Sequence, residues 1–380
     1  MGVAGPMKNE EELYRRLGYF FVVFMFTTIT DFTTLLASYQ KARSCKRYKK
    51  NILRFGFFLE TNLLRLQREL KTGSYMPSPY VFFTVNDPKF RKVAAPAFRD
   101  RTLQHSLVSQ LEPLFEKQFI YDSYACRTDK GTHFGLSRIK NFLQAARSIH
   151  GREQEIYCLR MDIKKFFASV SWDVLLNLVF AKVTDPQTRH LIEKILTQHT
   201  CLDTHRRPVL PAPDVLCPRL RRGLPIGNLT SQLFANIYLN VLDHFVKEQL
   251  HIRWYVRYMD DFLIIHPDRQ YLEKIKKTIE SFLAAKLKLQ LNKGKVIIAN
   301  VKYGVPFVGY RVFYDHVLVR GSTLLRMRRK LNIRRKERKR GKITRREFQS
   351  SLASFRGHLK FANGHYLSQN LFRWERNNSV

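Results

Sequence analysis

Acidic residues are scarce in this chain. Its 380 residues hold 31 Asp and Glu against 67 Lys and Arg, a formal net charge of +36 and a sequence pI of about 10.3. Such an imbalance repels itself unless a polyanion neutralises it, so nucleic acid is the first partner to expect. An anionic membrane surface is the alternative. The basic residues are spread along the whole chain, with one dense run near the C-terminus, which favours a long groove over a short membrane-binding tail. Cysteine is also sparse: five residues, an odd number, with no C-x-x-C pair, so neither a disulfide framework nor a zinc ribbon is indicated. Cys201, His205 and Cys217 share a Pro-rich loop, at a spacing that fits no standard metal pattern. A reduced, cytoplasmic protein is the simplest reading. The apolar run Leu17 to Ile29 is too short to span a bilayer, and Glu10 to Glu12 precede it. With no clear small-residue cleavage site, it reads as a buried helix or an extension from an upstream start codon, not as a signal peptide or a membrane contact. No internal repeat is visible.

What is present suffices for a large core. Apolar residues make up 44%, too many for a disordered chain. Helical patterns cover Asp31 to Gly73, Phe98 to Phe119, Trp172 to Val183, Leu229 to about Leu250 and Tyr271 to Ala285. Strand patterns cover Tyr80 to Val85, Tyr157 to Ile163, Trp254 to Met259, Phe262 to His266, Lys295 to Ala299 and Pro306 to Val312. Mixed elements of these lengths predict an α+β fold with a central sheet. One stretch, LPIGNLTSQLFANIYLN from Leu224 to Asn240, carries no charged side chain at all. It opens on a turn and continues as a helix with Leu229, Leu233, Ile237 and Val241 on one face.

Three acids stand out. Asp162 ends a hydrophobic strand in CLRMDIKKFFASV, and Asp260-Asp261 interrupt two apolar strand halves in RYMDDFLII, as at the tip of a β-hairpin. Adjacent carboxylates repel each other, and partial burial adds a desolvation cost. A divalent cation removes both problems. Three carboxylates on two Mg²⁺ ions about 3.5–4 Å apart is the two-metal arrangement of polymerases. A lone Asp-Asp pair is usually a solvated turn. The strand context, the second acid and the basic chain together count against that.

The segments Arg160–Val170, Leu224–Asn240, Tyr258–Asp261, Leu287–Lys295 and Phe307–Arg311 resemble the ordered motifs of reverse transcriptases, including the YMDD tetrad. DPKFRKVAAPAFRDRTLQH (Asp87 to His105), YDSYACRTDKGTH (Tyr121 to His133) and SFRGHLKFANGHYL (Ser354 to Leu367) extend the match over most of the chain, from about Asp31 to the end. The resemblance implies a right-hand polymerase: an N-terminal extension over 1–30 outside the match, fingers over 31–150, a palm with an antiparallel sheet over 151–315 and a helical thumb over 316–380. IGNLTSQ with YACRTDKGTH resembles the enzymes of diversity-generating retroelements. Group II intron and retron enzymes usually carry Gln where Ile226 stands and Pro where Gln232 stands. The resemblance therefore implies error-prone cDNA synthesis on a template RNA, with an RNA/cDNA duplex, dNTPs and a small basic accessory protein forming a pentamer as partners. Anti-phage defence reverse transcriptases, which copy a noncoding RNA, share parts of the pattern. A non-catalytic RNA-binding module is the reading from another class, and three retained acids argue against it.

Carried over by motif, Asp162, Asp260 and Asp261 resemble the metal-binding triad, with the Ile163 carbonyl as a further ligand, for two Mg²⁺ ions or Mn²⁺ as a substitute. Lys295, with Lys293 two positions away, is the candidate general acid toward pyrophosphate. Lys89 and Arg91 resemble the fingertip that holds the triphosphate. Phe166 resembles the steric gate against a 2′-hydroxyl. Adjacent strand residues face opposite ways, so Phe167 is assigned to the core. Ile226, Gly227 and Gln232 form the turn and helix start beside the nucleotide. Ile226 has no side-chain donor or acceptor with which to reward a correct base pair. Arg101 and Gln104 share a helical face and either support the fingers or touch template. Tyr258 and Met259 border the acids. Phe307, Gly309 and Tyr310 resemble the primer grip, with a glycine for close backbone approach and aromatics that pack the thumb base. Arg328, Arg329 and Lys330, in the basic run Arg326 to Lys342, are candidates for phosphate contacts without sequence readout.

Overall fold

The computed structural model describes residues 25–86, 90–198, 201–202, 207–209 and 220–363. The chain divides into two compact units, each built from three separate stretches. The first comprises Met1–Tyr121, Ile163–Phe245 and Glu280–Leu291, and the second Asp122–Asp162, Val246–Ile279 and Asn292–Val380.

The first unit opens with helices α1 (Met25–Thr30), α2 (Phe32–Arg43), α3 (Lys50–Phe57) and α4 (Leu59–Lys71), then strands β1 (Tyr80–Val85) and β2 (Arg91–Ala95) and helix α5 (Phe98–Glu116). The second unit contributes α6 (Thr132–His150) and β3 (Tyr157–Asp162). The first resumes with α7 (Phe166–Ser169), α8 (Trp172–Phe180), α9 (Pro186–Thr197), the short strands β4 (Cys201–Leu202) and β5 (Pro208–Val209), and α10 (Leu229–His244). After a π-helical turn at Phe245–Gln249, the second unit adds β6 (Tyr255–Tyr258) and β7 (Asp261–His266). Helix α11 (Arg269–Leu287) follows. The second unit then finishes with β8 (Ile297–Asn300), β9 (Val305–Phe307), β10 (Tyr310–Val312), β11 (Val317–Val319), α12 (Gly321–Lys339) and α13 (Arg345–Lys360).

Local chemistry explains the helix starts. Asp31 caps α2, accepting from the Thr33 and Thr34 amides at 2.9 and 3.2 Å. Asp185 caps α9 and also accepts from the Phe26 amide at 3.1 Å, tying α1 to α9. Thr344 and Glu347 close a capping box on α13. In the first unit β1 and β2 pair antiparallel from Val81–Ala95 to Val85–Arg91. Helix α10 is buried on nearly every side, from Thr230 through Leu242, which is why its sequence carries no charge until Asp243. Its Tyr238 hydroxyl donates to the Leu287 carbonyl at 2.6 Å and accepts from the Ser171 amide at 3.3 Å.

In the second unit an antiparallel sheet of order β6-β7-β3-β8 stands beside a three-stranded sheet of order β11-β10-β9. Both share one core with α6, α12 and α13, through Ile139, Phe142, Leu263, Phe307, Met327 and Phe348 among others. The strand expected over Pro306 to Val312 is instead a tight hairpin. Val308 (φ 37°) and Gly309 (φ 89°) both take left-handed conformations and reverse the chain between β9 and β10. No described helix is long and apolar enough to cross a membrane.

Candidate active site

The acids meet at one end of the four-stranded sheet. In the β3–β7 ladder Asp162 lies opposite Asp261, and in the β6–β7 ladder Tyr258 lies opposite Asp261. Met259 and Asp260 therefore form a two-residue hairpin turn. Met259 sits at φ 55°, a costly conformation for a residue with a Cβ. Arg257, fully buried, holds that turn: its guanidinium donates to the Met259 carbonyl at 3.2 Å and to Ser123 Oγ at 3.1 Å. Its backbone is clasped by the Asp122 carbonyl and the Tyr124 amide, both at 3.0 Å. Asp122 is itself fixed by Arg138 at 2.8 Å and Lys247 at 3.0 Å. The Tyr258 hydroxyl accepts from Thr132 at 3.3 Å.

Each acid meets a different electrostatic fate. Asp162 is 8% exposed and carries the Lys295 ammonium at 2.6 and 2.7 Å, with Asn292 Nδ2 at 3.1 Å. The Asn292 amide also binds the Asp162 carbonyl at 2.8 Å, which docks the Lys293–Lys295 turn against the strand end. Asp261 is gripped by both prongs of Arg160, with Nε at 2.8 Å from Oδ1. Asp260 has no ion-pair partner among the described residues. Burial, followed by the charge of Asp162, pushes its carboxyl up to about 6.

No three described His, Cys, Asp or Glu side chains converge to hold a metal ion. Asp162 and Asp260 interact, but the oxygens of Asp261 turn to Arg160. Ile163 belongs to the first unit, where it is buried and bridges Leu291. Of the two lysines, it is Lys295 that reaches Asp162.

The first unit gathers a second set of candidates. The Ile226 carbonyl accepts from the Ala94 amide of β2 at 2.8 Å. Gly227 follows at φ +127°, where a Cβ would stand 2.6 Å from the Ala94 carbonyl. Ile226 is half-buried, Gln232 is exposed, and Arg91 is exposed at the start of β2. Lys89 lies outside the described residues. Gln104 is a correction: it is 3% exposed, and its side-chain oxygen accepts from the Leu229 amide at 3.2 Å. It caps the start of α10 and cannot also read template, so of its two expected roles only support remains. Arg101 is partly buried and donates to the Pro96 carbonyl at 3.3 Å. Phe166 and Phe167 are a second correction. They lie on helix α7, so the alternation argument fails. Phe166 is the core ring, 2% exposed, packed edge-on against Phe167 at 5.3 Å and Tyr238 at 6.5 Å. Phe167 keeps the open edge.

Further along the second unit, Phe307 and Tyr310 are buried, so the surface they leave is the Val308–Gly309 turn. The Tyr310 hydroxyl meets Nδ1 of His358 on α13 at 3.0 Å. On α12, Thr323, Met327 and Leu331 are buried, while Arg328, Arg329 and Lys330 point outward. Arg160, Asn292 and Arg257 were missed as site residues. The signal for Arg160 was an i, i+2 spacing to Asp162, which puts both on one strand face beside the hairpin acids.

An antiparallel sheet with acids at a strand end and at a hairpin tip is the palm architecture of right-hand polymerases, as the α+β expectation required. The model of the family described as reverse transcriptase (RNA-dependent DNA polymerase) matches residues 85–312, and the chain belongs to that family. It is 26% identical over 298 residues to protein YkfC of Escherichia coli strain K12, covering 69% of this chain and 74% of that one. It is 23% identical over 320 residues to the group II intron-encoded protein LtrA of Lactococcus lactis, covering 67% and 50%. The chain therefore spans half the length of that relative. Among solved structures it is similar to apo telomerase from Candida tropicalis truncated of its C-terminal domain, with a TM-score of 0.47 and 16% identity over 68% of this chain and 60% of that one.

Proposed function

We propose that this chain is an RNA-directed DNA polymerase that extends a primer on a template RNA and uses Mg²⁺ at the acid cluster. The observation that carries the reading is Asp260: a half-buried carboxylate beside Asp162, pushed up to about 6 despite the charge of Lys295, with no ion-pair partner among the described residues. That donor chemistry fits a hard divalent cation, with Asp162 and Asp260 as the residues that would hold it. When bound there, divalent ions would lower the pKa of a primer hydroxyl and neutralise charge on the departing pyrophosphate.

The chain's own residues do the rest. Arg257 keeps the Met259–Asp260 turn in its strained form, so Asp260 is presented without reorganisation. Arg160 neutralises Asp261, which limits repulsion among the three acids. Lys295 holds Asp162 in place, and its ammonium is the proton source nearest that carboxylate. On α7 the exposed edge of Phe167, backed by Phe166, is the surface that screens the sugar. Arg91 holds the triphosphate. Arg328, Arg329 and Lys330 grip the phosphates of the duplex product. Fingers, palm and thumb take residues 31–150, 151–315 and 316–380.

Within the family we assign the chain to the diversity-generating type, on IGNLTSQ and YACRTDKGTH. Ile226 then lowers fidelity, because it packs but cannot hydrogen-bond. A small basic accessory protein belongs to that assignment. Primer extension on an RNA template with Mg²⁺ tests the activity: Asp260→Asn should cut synthesis by about a thousandfold or more while leaving RNA binding intact. Synthesis surviving that change would overturn the site. Sequencing the RNA and cDNA that co-purify with the chain tests the subgroup. Mutations concentrated at template adenines support it, and faithful copies of a noncoding RNA point to the defence type.

A further inference from the structure

The β6–β7 hairpin has two ends. The acids occupy the closed end. At the open end, roughly 13 Å away for four residues of strand, lies a separate cavity of about 290 Å³. It is lined by His150, His251, Arg253, Trp254, His266 and Tyr271, with apolar residues between them, and every one belongs to the second unit. The catalytic reading uses none of them.

The lining is unusual in its chemistry. Trp254 is 6% exposed and forms the floor. His150 meets it edge-on, with ring centroids 5.8 Å apart. His266 and Tyr271 make a wall of two rings, 4.3 Å apart and tilted by 32°. The Arg253 guanidinium lies over Trp254 at 5.8 Å. His251 is held at the rim in a left-handed conformation, φ 50°, which a residue with a Cβ adopts at a cost. No acidic side chain lines the cavity among the described residues. Three histidines suggest a metal, yet no three described His, Cys, Asp or Glu side chains lie close enough to hold one.

Flat rings, imidazole nitrogens that donate or accept, one guanidinium and no carboxylate together match a planar heteroaromatic anion. The volume sits near the small end of the range for ligand pockets, about 300 Å³. We propose that this cavity is a second nucleotide site, which stacks one unpaired nucleobase against the Tyr271–His266 wall and takes its phosphate on Arg253. Stacking on aromatic side chains is the sequence-tolerant mode by which proteins hold unpaired bases, and arginine adds to it. With a net charge of +36 the source favoured is an RNA, anchored here by one flipped-out base while another part is copied. A free nucleotide would present the same chemistry. The site does not depend on the acids at the other end of the hairpin, and it would bind equally in a chain that makes no DNA.

The test uses the full chain. A single-stranded RNA carrying 4-thiouridine is photo-crosslinked and the attached peptides are mapped. In parallel, the four ribonucleoside monophosphates are titrated calorimetrically. Affinity for the RNA is measured at elevated salt, where phosphate contacts are weakened. A crosslink at Trp254, His266 or Tyr271 assigns the pocket to RNA, and saturable monophosphate binding without a crosslink assigns it to a free nucleotide. In the first case His266→Ala with Tyr271→Ala should weaken RNA binding by about tenfold, and in the second it should abolish monophosphate binding. Arg253→Ala should act in the same direction and guards against misfolding of the double variant. Extension of a short oligonucleotide primer should be unchanged in all of them. If neither ligand is bound at the pocket, or if the variants move neither affinity, the proposal fails.

Discussion

Two turns carry most of the candidate chemistry, and they are built on opposite principles. In the second unit the turn Tyr258–Asp261 is made of repelling charge held in check by cations: Arg160 on Asp261, Lys295 on Asp162 and the buried Arg257 beneath Met259. In the first unit the turn Leu224–Asn228 is made of neutral contacts. The Ile226 carbonyl bonds β2, Gly227 lies against the Ala94 carbonyl, Gln104 caps the helix, and Asn228 donates to the Tyr80 hydroxyl at 2.7 Å. The contrast shows two ways of fixing a tight turn: balancing repelling charge with cations, and satisfying backbone groups with neutral partners. Under the proposed function, the first suits carboxylates that are to take up a cation, and the second suits a surface that is not to seize phosphates.

The contrast breaks most sharply at Arg257. Replacing it with Met keeps the volume but removes the donors to Met259 and Ser123. The turn should relax, and kcat for primer extension should fall by about 10- to 100-fold with little change in KM, the size of effect seen when supporting partners of a ligand are lost. A fall confined to thermal stability would mean that Arg257 only fills the core.

Next is Gly227→Ala. The added Cβ meets backbone 2.6 Å away at a positive φ, so β2 or the turn must move. A loss of about 1–3 kcal/mol in denaturant unfolding is expected, with reduced nucleotide affinity. The same substitution at Gly309, whose nearest neighbours would be 3.5 Å away, should cost less and only through its φ.

A third measurement sharpens the charged side. The carboxyl of Asp260 is pushed up to about 6, above its ordinary value of 3.8, so the folded chain binds more protons between those values. Its contribution therefore favours folding at low pH and weakens as pH rises toward 6 and beyond. A divalent cation prefers the ionised form, so the melting-temperature gain from Mg²⁺ should grow as pH rises to about 6 and then level off. Asp260→Asn should flatten that dependence. A gain independent of pH would remove Asp260 from the cation site.

The smallest effect is at Ile226, on the neutral side. Ile226→Gln adds one donor and acceptor, worth about 1 kcal/mol, and should reduce misincorporation by roughly fivefold without altering stability. An unchanged error spectrum would confine Ile226 to packing.

Much of this was legible in the sequence. The β1 strand was expected at Tyr80–Val85 and is found there, and the hairpin follows from apolar runs flanking two acids, although its turn is Met259–Asp260, one residue earlier than the expected Asp260-Asp261, with Asp261 already in β7. Less legible was anything that depends on which partner a charge finds. Phe166 and Phe167 look equivalent in sequence, and only the helical turn at α7 decides that Phe166 is the buried ring. Gln104 looks like one more polar residue on a helix, yet it caps another helix 125 positions away.

By itself the sequence determined the class of molecule. The periodicity of its apolar residues, the excess of Lys and Arg, and three acids in strand contexts are local or additive properties, and these survive reading along a line. Tertiary structure alone decided how the acids are compensated. Coulomb energy and desolvation depend on distances across the sheet, so only folding could pair Asp261 with Arg160, give Lys295 to Asp162 and leave Asp260 as the carboxylate that a cation would complete.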